Sequence, residues 1–228
     1  MSDSESLTAE MALPPYRAKV RGFYHSRWYN GYVYFGATNA LALSAITGAA
    51  LLRDDVQPIE WMFLAAAFLV ANLAEWLAHR GPMHRRTWWI AALFDRHTLV
   101  HHVYFPHDDM AARDHREWLY VLFPAFAIGL VFATALPLAL LAAFLFGRNA
   151  GCLFFIVAIG YYLLYEWFHL VYHWPESSRI GRFRIVRALR RHHLVHHHHQ
   201  LMQRYNFNIT FPIWDYLLGS AYRERTLP

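Results

Sequence analysis

Four long apolar stretches constrain the fold of this chain more than any other feature of its sequence. They cover about residues 32–52, 59–77, 118–146 and 152–172. Each is long enough to cross a hydrocarbon core of about 30 Å as a helix that rises about 1.5 Å per residue. Hydrophobic residues make up 57% of the chain and charged residues 16%, a balance too apolar for an ordinary soluble domain. The sequence therefore predicts an all-α integral membrane protein with four transmembrane helices.

Basic residues divide unevenly between the two sides that four spans create. Of the 21 Lys and Arg residues, all but Arg53 and Arg148 lie in the N-terminal region, in the 78–117 loop or in the C-terminal region 174–228. The positive-inside rule places that side in the cytoplasm, so we expect both termini and the 78–117 loop to be cytoplasmic. An anionic membrane leaflet accounts for the net charge of +5, and no nucleic acid partner is required.

Residues 1–28 are expected to form a disordered tail and a basic juxtamembrane segment, and residues 29–228 a single membrane domain. The first 15 residues are polar and acidic and lack the apolar region of a cleavable signal peptide. The single cysteine, Cys152, excludes an internal disulfide, a Cys-ligated iron–sulfur cluster and a CxxCH haem attachment site. Electrons for any redox reaction are therefore expected to come from a separate protein.

Histidines are the most informative polar residues, and all 16 lie on the predicted cytoplasmic side or at the helix ends that reach it. Imidazole is a common ligand of Zn, Cu, Fe and Ni, and pairs or triplets at helical spacing can grip one ion from one face. The pattern predicts a His-rich cap that binds more than one metal ion. The pairs and triplets are His79 and His84; His97, His101 and His102; His169 and His173; and His193, His196 and His197.

Some positions in this pattern stay open on spacing alone. His79 and His84 converge only if the helix ends near Gly81 and the chain turns back. Taken alone, this pair or the pair His169 and His173 could equally be histidines at the membrane interface that bind no metal. His192 is an alternative to His193 as a metal ligand. Four carboxylates are candidates to accept hydrogen bonds from ligand imidazoles, with exposure to lipid headgroups as the alternative; they are Glu75, Glu166, Asp108 and Asp215.

The order of these pairs and triplets on four spans resembles the fatty acid hydroxylase/sterol desaturase superfamily of membrane di-iron enzymes. Three stretches look most like fatty acid 2-hydroxylases, and the resemblance covers roughly residues 60–220. The stretches are Tyr165-Glu166-Trp167-Phe168-His169-Leu170-Val171-Tyr172-His173, the box from His192 to His197, and the ending from Phe207-Asn208-Ile209-Thr210 to Trp214-Asp215-Tyr216.

The resemblance implies a function as well as a fold. It implies that all ten paired histidines ligate two irons, which zinc can replace in a purified sample, and that O2 is used to hydroxylate a lipid at the cytoplasmic membrane face. The second box has three residues before its His-His where these enzymes usually have two, so His107 is an alternative to His97. Eukaryotic members often carry a fused cytochrome b5-like domain, for which the N-terminal region here is too short. We therefore expect a separate reductase, cytochrome b5-like protein or ferredoxin.

Two other functions compete with a lipid hydroxylase. The same boxes suit a sterol or carotenoid hydroxylase or desaturase, and nothing in the sequence fixes the position oxidised. A non-enzymatic protein that binds haem or zinc is the second alternative. Paired haem ligands are expected singly on facing helices within the bilayer, and a transporter is expected to carry ionisable residues near mid-span. Clustering of the histidines at helix ends favours the enzyme.

Overall fold

The computed structural model describes residues 14–24 and 26–223, and this part of the chain contains helices and no strand. Four helical segments are long and apolar enough to cross a membrane, so the predicted all-α, four-span architecture is confirmed. The predicted tail in residues 1–13 and the last five residues lie outside the described residues. The α-helices are α1 (Pro15–Tyr24), α2 (Gly31–Leu51), α3 (Met62–Ala78), α4 (Ala91–Phe94), α5 (His102–Tyr104), α6 (Ala125–Phe146), α7 (Arg148–Tyr172), α8 (Arg184–His196) and α9 (Ile213–Leu217).

The starts of the long helices follow local chemistry. Asn30 caps α2, because its side-chain oxygen accepts hydrogen bonds from the main-chain N–H groups of Tyr32 (3.0 Å) and Val33 (3.2 Å). The second span extends over Pro58–Met83. Helix α6 begins at Ala125, seven residues after the predicted start of the third span, since the residue before a proline is disfavoured in the helical region and Pro124 precedes the helix in extended conformation.

Helix α7 is the centre of the bundle and packs against α2, α3 and α6. Its inner face includes Ile159 and Leu163, which join one apolar cluster with residues of α2 and α6. The α6–α7 turn places Gly147 at a φ of +95°, a conformation that favours glycine. At Gly151 the two backbones approach so closely that a Cβ atom would lie 2.6 Å from the Ala139 oxygen. The glycines therefore set the spacing of this helical hairpin.

A cap of short helices and loops lies at one end of the four long helices. Its apolar core includes Val100, Tyr104 and Phe105, all fully buried, together with Leu170 from α7. Helix α8 packs against α7, and α9 packs against α3. The cap therefore brings residues from the 79–105 region and from α8 onto the ends of α3 and α7.

Candidate metal centre

Two turns of π-helix position the first five of the paired histidines. A π-helical turn covers His79–Met83 at the end of α3, and a second covers Asp95–His101. Such turns are rare and are often found at functional sites. Because a π-helical turn holds more residues than an α-helical turn, residues five apart can share a face. The rings of His79 and His84 accordingly lie with their centroids 5.1 Å apart, across a non-helical kink at Gly81.

The ten paired histidines form two groups of five. In each group, every residue offers one ring nitrogen, and these nitrogens all lie within 4.8 Å of one another. Metal–imidazole bonds are about 2.0–2.1 Å long, so opposite ligands of a single ion are about 4 Å apart. The spacing therefore suits one ion in each group. Group 1 contains His79, His84, His97, His102 and His196, and group 2 contains His101, His169, His173, His193 and His197.

Group 2 contains ring nitrogens that cannot hydrogen-bond to each other. His101 Nδ1 lies 2.8 Å from the Tyr120 carbonyl oxygen, and His197 Nδ1 lies 2.5 Å from the Phe105 carbonyl oxygen. A carbonyl oxygen only accepts hydrogen bonds, so the Nδ1 atom of each ring carries the proton. In a neutral ring the Nε2 atom then carries a lone pair. These two Nε2 atoms are nevertheless 3.1 Å apart. Two opposed lone pairs at this distance repel each other, and a cation bound between them would remove the repulsion.

The same arrangement occurs in group 1. His196 Nδ1 donates to the Tyr205 carbonyl at 2.9 Å. His84 Nδ1 faces the hydroxyl of Thr98 at 3.3 Å, and that hydroxyl already donates its proton to the Met83 carbonyl. His84 Nδ1 must therefore be the donor, which leaves lone pairs on both Nε2 atoms, and these are 2.9 Å apart. Each group thus presents its own pair of opposed lone pairs.

Burial keeps these imidazoles neutral. The ten rings are between 0% and 6% exposed. For the eight that lie outside the membrane-spanning helices, burial lowers the pKa below its usual value, and in His101 it does so to about 3. A neutral imidazole is the form that binds a metal. The two groups are therefore ready to bind cations at neutral pH.

Comparison with known proteins gives the family of the chain. The profile of the family described as fatty acid hydroxylase matches residues 64–220, more than half of the chain. The chain belongs to the fatty acid hydroxylase family. Its fold is similar to the structure described as full-length Scs7p with only the hydroxylase domain visible, with a TM-score of 0.59 and 22% identity over 87% of this chain and 69% of that one. A search of curated proteins gave no match.

In this family member, the two alternative ligands His107 and His192 lie apart from both groups, whereas His97 lies within group 1. His97 Nε2 lies 2.8 Å from His79 Nε2 and 3.1 Å from His102 Nε2. His107 is exposed, and its ring lies 4.8 Å from that of His198. His192 Nε2 faces Asp215 Oδ2 at 3.2 Å. The π-helical turn explains why His97 can reach group 1, since it absorbs the additional residue before the His-His.

Three of the four candidate carboxylates, Glu75, Glu166 and Asp215, have hydrogen-bond partners among the described residues, and those partners are not the ten grouped imidazoles. Glu75 accepts hydrogen bonds from the N–H groups of Ile209 (2.7 Å) and Thr210 (3.1 Å) and from the hydroxyl of Tyr161. Glu75 therefore ties α3 to the segment 207–210. The carbonyl of Phe207 in this segment lies 2.5 Å from His79 Nδ1, so the effect of Glu75 on a grouped histidine is indirect.

The other three carboxylates differ in their surroundings. Asp215 is fully buried and accepts from the N–H groups of Phe207 (2.9 Å) and Asn208 (2.8 Å). Glu166 accepts from the N–H of Phe123 at 3.1 Å, and Asp108 is exposed. The sequence suggested that carboxylates accept hydrogen bonds from ligand imidazoles. At the Nδ1 atoms of five grouped histidines, the acceptor is instead a main-chain carbonyl oxygen.

Sequence reasoning missed one side chain that supports the site, Arg17 of α1. It is fully buried, donates to the carbonyls of Asp109 and Ala111, and pairs with Glu117 at 3.2 Å. The chain it holds includes Met110, whose carbonyl lies 2.8 Å from His173 Nδ1. A lone arginine in a basic stretch gives no sequence signal for such a contact.

Proposed function

We propose that this protein is an O2-dependent lipid hydroxylase in which each imidazole group holds one iron ion. The opposed lone pairs in the two groups carry the proposal, because two neutral rings in this arrangement can share a bound cation but cannot hydrogen-bond to each other. Five imidazoles in each group exceed the four ligands typical of a structural zinc site, which favours iron. Bound iron would supply the activation of O2 needed to oxidise an unactivated C–H bond.

The residues of the chain would supply ligands, orientation and a dry site. Carbonyls of the cap fix the tautomer of half of the ligand rings and so keep their Nε2 lone pairs turned inward. Phe105 packs against His173 with ring centroids 4.5 Å apart, and Phe207 packs against His196 at 5.9 Å. Both phenylalanines are fully buried. They would exclude water from group 2 and group 1 respectively.

The location of the two groups supports a lipid substrate. His79 and His169 lie in the second and fourth of the apolar helical segments, near the ends that meet the cap. A lipid could keep its chain beside the spans while its polar end reaches the cap. We further propose that residues 29–228 form one hydroxylase domain with its cap and both termini in the cytoplasm, on the strength of the basic residues on that side. A separate reductase, cytochrome b5-like protein or ferredoxin would then deliver electrons there.

The proposal can be tested in membranes from cells that express the full chain with added iron. We expect about two irons per chain, one for each group, no haem absorption band, and membrane lipids heavier by one oxygen atom. His196→Ala, which removes a ligand from group 1, is the matched control and should leave the lipids unchanged. Lipids lighter by two hydrogens would indicate a desaturase. A haem band, or lipids identical in both strains, would refute the hydroxylase.

A further inference from the structure

A groove with a volume of about 710 Å³ lies where α2, α7 and the cap meet. This volume is within the range of about 300–1,000 Å³ that is typical of small-molecule sites. Helix α2 contributes Phe35 and Gly36 to the wall, and α7 contributes Trp167 and Leu170. Both helices are apolar spans, and Gly36 and Trp167 are exposed. The groove therefore opens from the cap toward the hydrocarbon of the membrane.

The groove is separate from both imidazole groups. An α-helix has 3.6 residues per turn, so a separation of two residues turns the direction of a side chain by about 200°. Trp167 and Val171 line the groove, and each lies two positions from His169. Val171 also lies two positions from His173, the other α7 histidine of group 2. The face of α7 that lines the groove is therefore opposite the face that carries the histidines, and a ligand in the groove is not the substrate of the metal centre.

The apolar part of the groove owes its space to a glycine. A Cβ atom on Gly36 would have no heavy atom within 4 Å, so the wall there is smooth and open. Trp167 keeps the neighbouring helix in place, because its indole Nε1 donates to Asn39 Oδ1 of α2 at 2.7 Å. The two helices are thus joined by one side chain, while the surface beside them has room for apolar chains that run along the spans.

The end of the groove at the cap carries both signs of charge. Arg113 and Asp114 line it side by side, and both are exposed. The guanidinium group of Arg113 has five N–H donors, and among the described residues its side-chain hydrogen bond goes from Nη2 to Asp109 Oδ2 at 3.3 Å. Asp114 Oδ1 accepts from two main-chain N–H groups, at 2.6 Å and 3.3 Å. The remaining N–H groups of Arg113 and the Asp114 Oδ2 atom can bind a ligand.

His115 adds a donor to the same end. Its Nδ1 atom accepts a hydrogen bond from the main-chain N–H of Gly31 at 3.3 Å, so in the neutral ring the proton is on Nε2. The ring lies against that of Tyr32, which also lines the groove, with centroids 4.8 Å apart. The polar end therefore combines a cation, a neutral N–H donor and a carboxylate. A head group that fits all three has an anionic group rich in acceptors next to an ammonium group.

We propose that this groove binds a zwitterionic phospholipid that is not a substrate. The phosphate binds Arg113 and His115, the ammonium group binds Asp114, and the acyl chains run past Gly36 along the two spans. A guanidinium fork matches the oxygens of a phosphate. A lipid with a negative charge alone leaves Asp114 without a cation, and an uncharged lipid leaves both charges without a partner. The inference goes beyond the proposed function and does not depend on it.

The bound lipid also supports the fold around one grouped histidine. The main-chain N–H of Ala112 donates to the His173 carbonyl at 2.6 Å, and the Met110 carbonyl lies 2.8 Å from His173 Nδ1. Residues 113–115, which hold the head group, directly follow these two contacts. A lipid that fixes residues 113–115 therefore stabilises this part of the cap, and binding should raise the thermal midpoint of the protein.

The test measures lipid binding to the full chain in detergent. Competition against a fluorescent phosphatidylethanolamine is measured for dioleoyl phosphatidylethanolamine, dioleoyl phosphatidylglycerol and dioleoylglycerol. The wild type should bind phosphatidylethanolamine most tightly, and this lipid should raise the thermal midpoint more than the other two. Arg113→Gln should weaken its binding by about 3- to 10-fold, as expected for a charged hydrogen bond that is partly exposed. Asp114→Asn should lower the preference for phosphatidylethanolamine over phosphatidylglycerol by a similar factor.

Gly36→Leu tests the apolar part of the groove. The new side chain occupies the space beside α2 without a clash at its Cβ atom, and leucine favours a helix more than glycine does, so the variant should fold. It should weaken binding of all three lipids. Gly129→Leu on α6 is the matched control, because Gly129 is also exposed, also has no heavy atom within 4 Å of a Cβ atom, and does not line the groove. It should bind the lipids as the wild type does.

Four outcomes would overturn the proposal. The first is equal lipid affinity in the wild type and in Gly36→Leu, and the second is binding of phosphatidylglycerol or dioleoylglycerol as tightly as phosphatidylethanolamine. The third is a dimer in analytical ultracentrifugation that Gly36→Leu abolishes and Gly129→Leu retains, which would assign the groove to a second copy of the chain. The fourth is the insertion of oxygen into the bound phosphatidylethanolamine by the iron-loaded wild type but not by Gly36→Leu, since the groove would then hold a substrate.

Discussion

Arg17 offers a direct test of how the cap holds group 2. In Arg17→Met the guanidinium is lost, while Glu117 stays buried at 1% exposure without its cation. Removing one partner of a buried ion pair typically lowers the free energy of unfolding by about 3–5 kcal/mol. Two carbonyl contacts of Arg17, to Asp109 and Ala111, are lost as well. We expect a loss of stability at the upper end of this range.

The loss should reach the metal centre through one group. The carbonyls of Phe105 and Met110 lie on the chain that Arg17 holds, and they orient His197 and His173. Both histidines belong to group 2. Arg17→Met should therefore release the metal of group 2 to a chelator faster than that of group 1, so that about one of the two proposed irons is removed early.

A second substitution identifies the cause. In Arg17→Met/Glu117→Gln the buried charge is gone. In the wild type, Glu117 accepts hydrogen bonds from the Arg113 N–H and the Tyr104 hydroxyl. The glutamine amide can keep both contacts, because its oxygen accepts from the Arg113 N–H and its NH2 group donates to the Tyr104 oxygen. The double variant should regain much of the lost thermal stability. Lys19→Met, an exposed position on the same helix, is the control and should behave as the wild type. The reasoning fails if Arg17→Met keeps wild-type stability and both metals, or if the double variant is no more stable than the single one.

Three further perturbations test other parts of the structure. His173→Ala and His196→Ala each remove a nitrogen from a different group, so both should abolish hydroxylation while the four spans still insert; activity retained in both would contradict the ligand assignment. Lower pH should destabilise the metal-free protein: burial lowers the pKa of His101 to about 3, so between that value and the unfolded pKa of about 6.5 the unfolded state binds more protons. The histidine contribution to the thermal midpoint should be constant above pH 6.5 and fall below it. Gly151→Ala would push a Cβ atom against Ala139 and should lower stability by about 1–3 kcal/mol in a denaturation assay.

The sequence predicts those parts of the protein that depend only on a fixed length or on residue spacing within one helix. The thickness of a bilayer sets the length of a span, so the four long helices follow from the apolar stretches. The spacing of His193, His196 and His197 on one helix likewise places three imidazoles on one face. Neither inference requires knowledge of how distant segments pack.

The division of the histidines into two groups needs that knowledge. Each triplet is split, because His101 joins group 2 while His97 and His102 join group 1. The main-chain carbonyls that fix the rings carry no residue-specific signal, so sequence reasoning assigned their place to acidic side chains such as Glu75. The carboxylate of Glu75 instead binds N–H groups of the segment 207–210, a contact between residues more than 130 positions apart.

The π-helical turn at Asp95–His101 gives the two triplets the same arrangement despite their different spacing. In α8, the outer residues His193 and His197 share group 2 and the middle residue His196 crosses to group 1. In the π-helical triplet, the outer residues share group 1 and the middle residue crosses to group 2. Since a π-helical turn holds about one residue more than the 3.6 of an α-helical turn, His-x3-His-His in one is equivalent to His-x2-His-His in the other.

Deletion of one residue tests this equivalence. Removing Leu99, whose side chain is 50% exposed, should convert the turn to an α-helix and leave three imidazoles on the same face, with both metals retained and little core packing lost. Removing Leu194 from α8 is the matched deletion, and it should weaken metal binding in group 1. In the resulting His-x-His-His, the middle residue His196 lies two positions from His193, and residues at that spacing share no face of an α-helix. Metal content and thermal stability of the two variants give the answer. Equal metal loss in both would mean that the π-helical turn fixes the position of His97 in a way that an α-helix cannot reproduce.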